Sequence, residues 1–185
     1  MKRRFILASS SALLLTGCAL TPVHNWQIEA ISGPLKGGTG VRVSVRSIGL
    51  PSALNQPGVP QPGPANAANS FSSDLWAAPL ASMLQIIMVE DLAQRLPNDV
   101  VLADGGAIGA QPDLYVEIQI LDFSPDSAGV VTLKAQIATR PVNSQTWNLQ
   151  QFRQDAPGGN QAATITACMS QLWGQLADHV AQMLV

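Results

Sequence analysis

The sequence predicts an α+β fold: an antiparallel or mixed β-sheet covered on one face by two helices, in the order β-β-α-β-β-β-β-α. Three observations carry this reading. Residues 114–153 alternate apolar and polar side chains in three runs separated by turn residues, as strands with one buried face do. The last segment, about 162–184, places Ile165, Cys168, Met169, Leu172, Leu176, Val180 and Leu184 at the spacing of an amphipathic helix. A second stretch of helical spacing precedes the alternating region, so two helices can close over one side of a sheet in two layers.

Taken in order, residues 26–30 alternate and predict a first strand. Residues 32–40 hold four glycines and one proline and read as a loop. Residues 41–48 set Val41, Val43 and Val45 against Arg42, Ser44 and Arg46, a half-buried strand that Gly49-Leu50-Pro51 ends. Four prolines fall within residues 57–64, which forbids a regular central strand or helix. Residues 55–70 therefore read as a long flexible or polyproline-like loop. Ser73-Asp74 offers a helix cap, and Leu80, Met83, Leu84, Ile87, Leu92 and Leu96 follow at helical spacing. Glu90, Asp91, Gln94 and Arg95 read as the polar side of that helix, and Pro97 stops it. Residues 100–103 are a short strand, and a Gly-rich loop runs from 104 to 112.

In the meander, Leu114, Val116, Ile118 and Ile120 face one way, as do Val131, Leu133, Ala135 and Ile137 in the next strand. Turns are expected at 125–129 and 140–144, and a third strand runs from Trp147 and Leu149 to about Arg153. Trp147 and Trp173 are expected in the core.

The start of the chain carries a different signal. Lys2, Arg3 and Arg4 precede an apolar run over residues 5–15, too short to span a bilayer. Leu15-Thr16-Gly17-Cys18 follows and looks like a bacterial lipobox, in which the cysteine thiol takes a diacylglyceryl group and cleavage falls just before it. Residues 1–17 are then a lipoprotein signal peptide, 18–25 a lipidated tether, and 26–185 a single domain. Two or more acyl chains give a stable membrane hold where one does not. Residue 19 is Ala rather than Asp, which by resemblance to Gram-negative sorting implies the periplasmic face of the outer membrane.

Removing the signal leaves seven Lys and Arg against twelve Asp and Glu, and no basic patch, so nucleic acid is excluded as a partner. Apolar residues make up 46% of the chain and charged residues 12%. The sequence holds no HExxH, GxSxG, P-loop or CxxC pattern. Gly37-Gly38-Thr39-Gly40 lacks the following helix that a phosphate site needs. Glu90 and Asp91 project at different angles and form no paired-carboxylate site. Cys168 sits in an apolar helical stripe and reads as a small core hydrophobe. His24 falls in the tether, and His179 beside Asp178 reads as a solvated helix face. No metal, no catalytic residue and no cofactor beyond the N-acyl diacylglyceryl group at Cys18 is expected, and the chain reads as a non-enzyme.

Three stretches resemble the ABC-type transport auxiliary lipoproteins of the paraquat-inducible protein C type. Residues 41–54 end Leu50-Pro51-Ser52-Ala53-Leu54, similar to the family's strand and Leu-Pro-x-x-Leu turn. Leu75-Trp76-Ala77-Ala78-Pro79-Leu80 resembles its Trp-Ala-Glu-Pro-Leu helix start, with Ala78 where the family has Glu. Residues 114–184 follow the family order of hairpin, Trp-containing strand and closing helix. The family's strand after the Leu-Pro turn is replaced here by the Pro-rich 57–64 segment.

The resemblance implies a non-catalytic auxiliary or docking subunit of an ABC/MCE-type lipid transport system that maintains envelope integrity. Its partners would be an MCE-domain protein and that protein's inner-membrane permease, with self-association left open. Pro51 and Leu54 are the better contact candidates. Trp76, Pro79 and Leu80 are further candidates, although Trp76 and Leu80 read first as core and Pro79 as shaping the helix start. Two other readings stand beside this one: a periplasmic carrier holding lipid in a cavity between sheet and helices, and a lipoprotein bracing an outer-membrane assembly barrel.

Overall fold

The computed structural model describes residues 22–64 and 67–185. The expected signal peptide, Cys18 and most of the expected tether lie outside the described residues. Eight strands and two helices follow in the order β1 His24–Trp26, β2 Arg42–Val45, β3 Gly58–Pro60, β4 Ser70–Trp76, α1 Leu80–Arg95, β5 Val100–Ala103, β6 Leu114–Pro125, β7 Val130–Pro141, β8 Asn148–Pro157 and α2 Ala162–Met183.

Five strands form a mixed sheet in the order β5-β2-β6-β7-β8. β2 runs parallel to both its neighbours, and β6, β7 and β8 are the antiparallel meander. The predicted alternation holds on β7, where Val131, Leu133, Ala135 and Ile137 are buried and the residues between them are not. Both helices pack over the inward face, α1 beside β5 and β2 and α2 beside β7 and β8. This α+β arrangement, open at both sheet edges, agrees with the predicted class.

A second, three-stranded sheet in the order β1-β4-β3 departs from the expected element order. β3 lies within the Pro-rich segment expected to be a loop. It is an edge strand, where proline costs no ladder hydrogen bond, and its Val59 is fully buried. The Pro-rich segment thus contains a strand of three residues. β4 takes the Ser73-Asp74 pair that was expected to cap α1. The helix starts instead after Pro79, whose carbonyl accepts the Ser82 and Met83 N–H groups at 3.0 and 3.1 Å. β1 also lies earlier than the 26–30 strand expected, since Trp26 pairs with Trp76 and the chain then runs on along α2.

The largest correction concerns α1. Asp91 and Arg95, read as polar-side residues, are 0% and 1% exposed. They fall on the same stripe as Leu80, Leu84, Met88 and Leu92, and this stripe faces the core. The Arg95 guanidinium donates from Nε to Asp178 Oδ1 at 2.6 Å, from Nη1 to the Asp91 carbonyl at 2.9 Å, and from Nη2 to the Gly174 carbonyl at 3.0 Å. Asp91 Oδ1 accepts the Ile31 N–H at 2.9 Å. The network joins α1, α2 and the loop after β1. Gly33 lies so close to Arg95 and Asp178 that a Cβ there would overlap both. Asp178 is therefore an ion-pair partner rather than part of a solvated face. His179 is also half-buried, with its ring 5.6 Å from that of Phe152.

Burial pushes the Asp91 carboxyl up to about 6, against the opposing pull of the Ile31 N–H and Arg95. The folded state thus holds this proton more tightly than the unfolded chain does. The resulting stabilisation is present below pH 3.8 and is lost as pH rises through about 6. Acidifying from about pH 6.5 to 4 should add about 2 kcal/mol from this group. Asp113, held down to about 2 by Arg42, acts only below pH 3.8 and leaves that window clear. Urea unfolding at a series of pH values checks this: Asp91→Asn should flatten the slope, and an unchanged slope would refute the assignment.

Candidate docking surface

Pro51 and Leu54 flank a 3₁₀ turn over Ser52–Leu54, in which the Leu54 N–H donates to the Pro51 carbonyl at 3.0 Å. The turn packs at the lip of an open groove of about 550 Å³. One wall comes from this turn and the Pro60–Asn69 region, including Pro60, Pro64 and Ala68. The other comes from β6 and β7 through Leu121, Pro125 and Lys134. Most of the lining is apolar. The polar side is an ion pair, with Lys134 Nζ 3.5 Å from Asp122 Oδ2 and the Ser124 hydroxyl donating to Asp122 Oδ1 at 2.7 Å.

The sequence reading missed the β6 wall. A β-bulge between Ile120 and Asp122 shifts the register, so that Ile120 and Phe123 both point inward while Leu121 is left 51% exposed. The signal was present: the run Ile120-Leu121-Asp122-Phe123 breaks the period of two that precedes it.

The five candidate contact residues are not brought together. Pro51 and Leu54 both line the groove, although Leu54, at 6% exposed, is a core residue that offers a partner little surface. Trp76 and Leu80 are core residues, 7% and 3% exposed, and Pro79 is exposed at the start of α1 away from the groove.

A second surface feature lies on the sheet face opposite the helices. The Arg140 guanidinium carbon sits 4.8 Å from the Trp147 ring centroid and 5.8 Å from that of Tyr115, and Arg46 lies 4.9 Å over the other partner, Tyr115. Trp147 is 39% exposed, which corrects its placement in the core. On β8 the inward positions are Gln150 and Phe152, one step out of register with Trp147 and Leu149. Trp173, by contrast, is fully buried as expected.

The remaining reactive groups are structural. Cys168 is 9% exposed, burial raises its thiol pKa, and its Sγ lies 3.6 Å from the Ala156 carbonyl. The glycine loop over residues 37–40 wraps an internal carboxylate: Asp99 Oδ1 accepts the N–H groups of Thr39, Gly40 and Val41 at 2.8, 2.7 and 3.1 Å. Gly38, at φ 88°, packs where any Cβ would strike that carboxylate. Among the described residues no three His, Cys, Asp or Glu side chains are grouped as a metal ion needs, and no helix is long and apolar enough to cross a membrane.

Two solved structures share this architecture. A protein described only as uncharacterized superposes with a TM-score of 0.75 at 17% identity, covering 89% of this chain and 100% of its own. Protein XCC0632 from Xanthomonas campestris, of family DUF330, gives 0.71 at 16% identity, covering 89% and 95%. At such identities the likeness is one of fold. No match was found among curated proteins. The model of the ABC-type transport auxiliary lipoprotein component family matches residues 27–181, which is most of the chain and all of both sheets beyond the first strand. The chain belongs to that family.

Proposed function

We propose that this protein is a lipid-anchored, non-catalytic docking subunit of an ABC/MCE-type lipid transport system, held at the periplasmic face of the outer membrane through Cys18. The observation that carries this reading is the family match across residues 27–181. The groove beside Pro51 and Leu54 supports it by offering a largely apolar, open surface without reactive groups. The partner is an MCE-domain protein of the same transport system. The protein binds and positions this partner and leaves energy coupling to the permease complex.

The space where a lipid carrier would need its cavity is filled. Phe123, Ile137, Met169 and Trp173 are all buried between sheet and helices to 1% exposure or less. The carrier reading therefore has no support from the fold.

The test uses protein made in its native host. Mass spectrometry should find residues 1–17 removed and an N-acyl diacylglyceryl group on Cys18. Cys18→Ser should move the protein out of the outer-membrane fraction. Leu121→Glu or Ala53→Glu on the groove lip should weaken co-purification of the MCE-type protein about tenfold, the effect of roughly 1.4 kcal/mol. An unmodified thiol on a soluble protein would refute the anchor, and undiminished co-purification would refute the groove as the contact.

A further inference from the structure

The chain from Cys18 to Pro22 reaches at most about 14 Å when fully extended. Wherever the lipid sits, the bilayer surface must therefore lie within that distance of Pro22, and the fold determines what else is near.

β1 begins two residues after Pro22. Its Asn25 and Trp26 border a pocket shared with Ala163, Thr166 and Ala167 in the first turns of α2. From there the chain descends along α2, with the Glu29 N–H donating to Ser170 Oγ at 3.1 Å, Ile31 against Gly174 and Gly33 against Asp178. The start of α2 in turn adjoins the β6–β7 turn, where the Gly129 carbonyl accepts the N–H groups of Gly158 and Gly159 at 2.8 and 3.0 Å. β1, the start of α2 and the β6–β7 turn thus form one end of the molecule.

The opposite end is where β6 begins and β7 finishes, with Leu114 paired to Pro141. Twelve residues of β7 separate the two ends by about 37 Å. Tyr115, Arg140 and Trp147 lie at this far end, on the sheet face turned away from the helices. The attachment point is on the helix side at the near end. A bilayer lying across the strand axis at the near end stays about 37 Å from that corner.

The two ends also differ in chemistry. Residues 156–167 carry no charged side chain, although the mature chain is acidic. Asp126 at the near end is engaged by its own turn, accepting the Ala128 and Val130 N–H groups at 2.8 and 2.9 Å. Val23 is 56% exposed. The start of α2 offers small neutral residues to phospholipid headgroups, and charges around it are paired, His24 with Asp74 at 3.4 Å and Arg153 with Asp155 at 3.2 Å.

We infer that the domain stands on the bilayer by the end built from β1, the start of α2 and the β6–β7 turn, with the Arg140–Trp147 corner turned away from the lipid surface. This orientation rests on the lipid at Cys18 proposed above. It places the groove, which opens beside Pro125 and Asp126, at bilayer level on the opposite face of the sheet. A partner that docks in the groove must therefore reach all the way to the membrane.

The test places single bimane labels on the full lipidated protein in a Cys168→Ala background. Val23→Cys and Ala163→Cys report the near end, and Val142→Cys and Leu149→Cys the far end. The protein is reconstituted into phosphatidylethanolamine–phosphatidylglycerol vesicles that contain a headgroup-nitroxide lipid. Quenching at positions 23 and 163 should exceed that at 142 and 149 several-fold. Equal quenching at both ends, or stronger quenching at 142 and 149, overturns the orientation. Flotation separates the two claims: wild type should float with the vesicles and Cys18→Ser should not. Failure of that contrast overturns the anchor and the orientation together, whereas normal flotation without a quenching difference overturns the orientation alone.

Discussion

Arg95→Ala should destabilise the protein by about 3–5 kcal/mol, the range for removing one partner from a buried ion pair. The guanidinium is 1% exposed and satisfies Asp178, two backbone carbonyls and, at 3.4 Å, the carboxylate of Asp91. Without it, Asp91 stays buried with one oxygen already unpartnered and no compensating charge. The loss comes from stranding Asp91, so a double replacement, Asp91→Leu with Arg95→Met, should recover most of it. Chemical denaturation of the mature protein, followed by tryptophan fluorescence, measures both. A single-variant loss under about 1 kcal/mol would show that the network contributes little.

Trp173→Ala should cost a comparable amount, about 3–5 kcal/mol, by a different route. Trp173 is fully buried on α2 and stacks on Phe123 of β6, with ring centroids 6.2 Å apart at 26°. This contact is a principal link between the closing helix and the centre of the sheet. Alanine would open a cavity there and remove an aromatic pair worth about 0.5–1.5 kcal/mol beyond its burial. The Trp173 Nε1 has no hydrogen-bond partner, so Trp173→Phe loses no bond and should cost markedly less. Equal losses for the two replacements would argue against the packing account.

The parts of the fold that were legible in the sequence are those whose signal is local and repeated. α2 and the β6–β7 hairpin each show several full periods, so one odd residue cannot shift the reading. β3 and β4 lacked this advantage. They are short, rich in proline or serine, and held by a partner such as β1, paired at positions 50 residues away. Asp91 and Arg95 were misread because charge was taken to mean solvent. Their spacing from Leu80, Leu84 and Met88 gave the better clue, since an oppositely charged i, i+4 pair in phase with an apolar stripe can enter the core as a unit. The same priority of phase over residue type explains Trp147, an aromatic side chain just before β8 and in phase with its outward positions. At the groove, Pro51 and Leu54 were singled out from their place at a strand end beside a long loop, while Leu121 was hidden by a bulge that an alternation template does not contain.

The position of β2 has a consequence for how the chain matures. It lies in the interior of the five-stranded sheet, yet it is the first of those strands to be synthesised, and both its neighbours come later. Val43 pairs with Val101 and Leu114, 58 and 71 residues downstream. Such long loop closures slow folding, because their entropic cost falls before any contact offsets it. β2 can pair with β5 once residue 103 has been made, but its other edge stays open until residue 114 arrives, so the five-stranded sheet closes only when the C-terminal meander is complete.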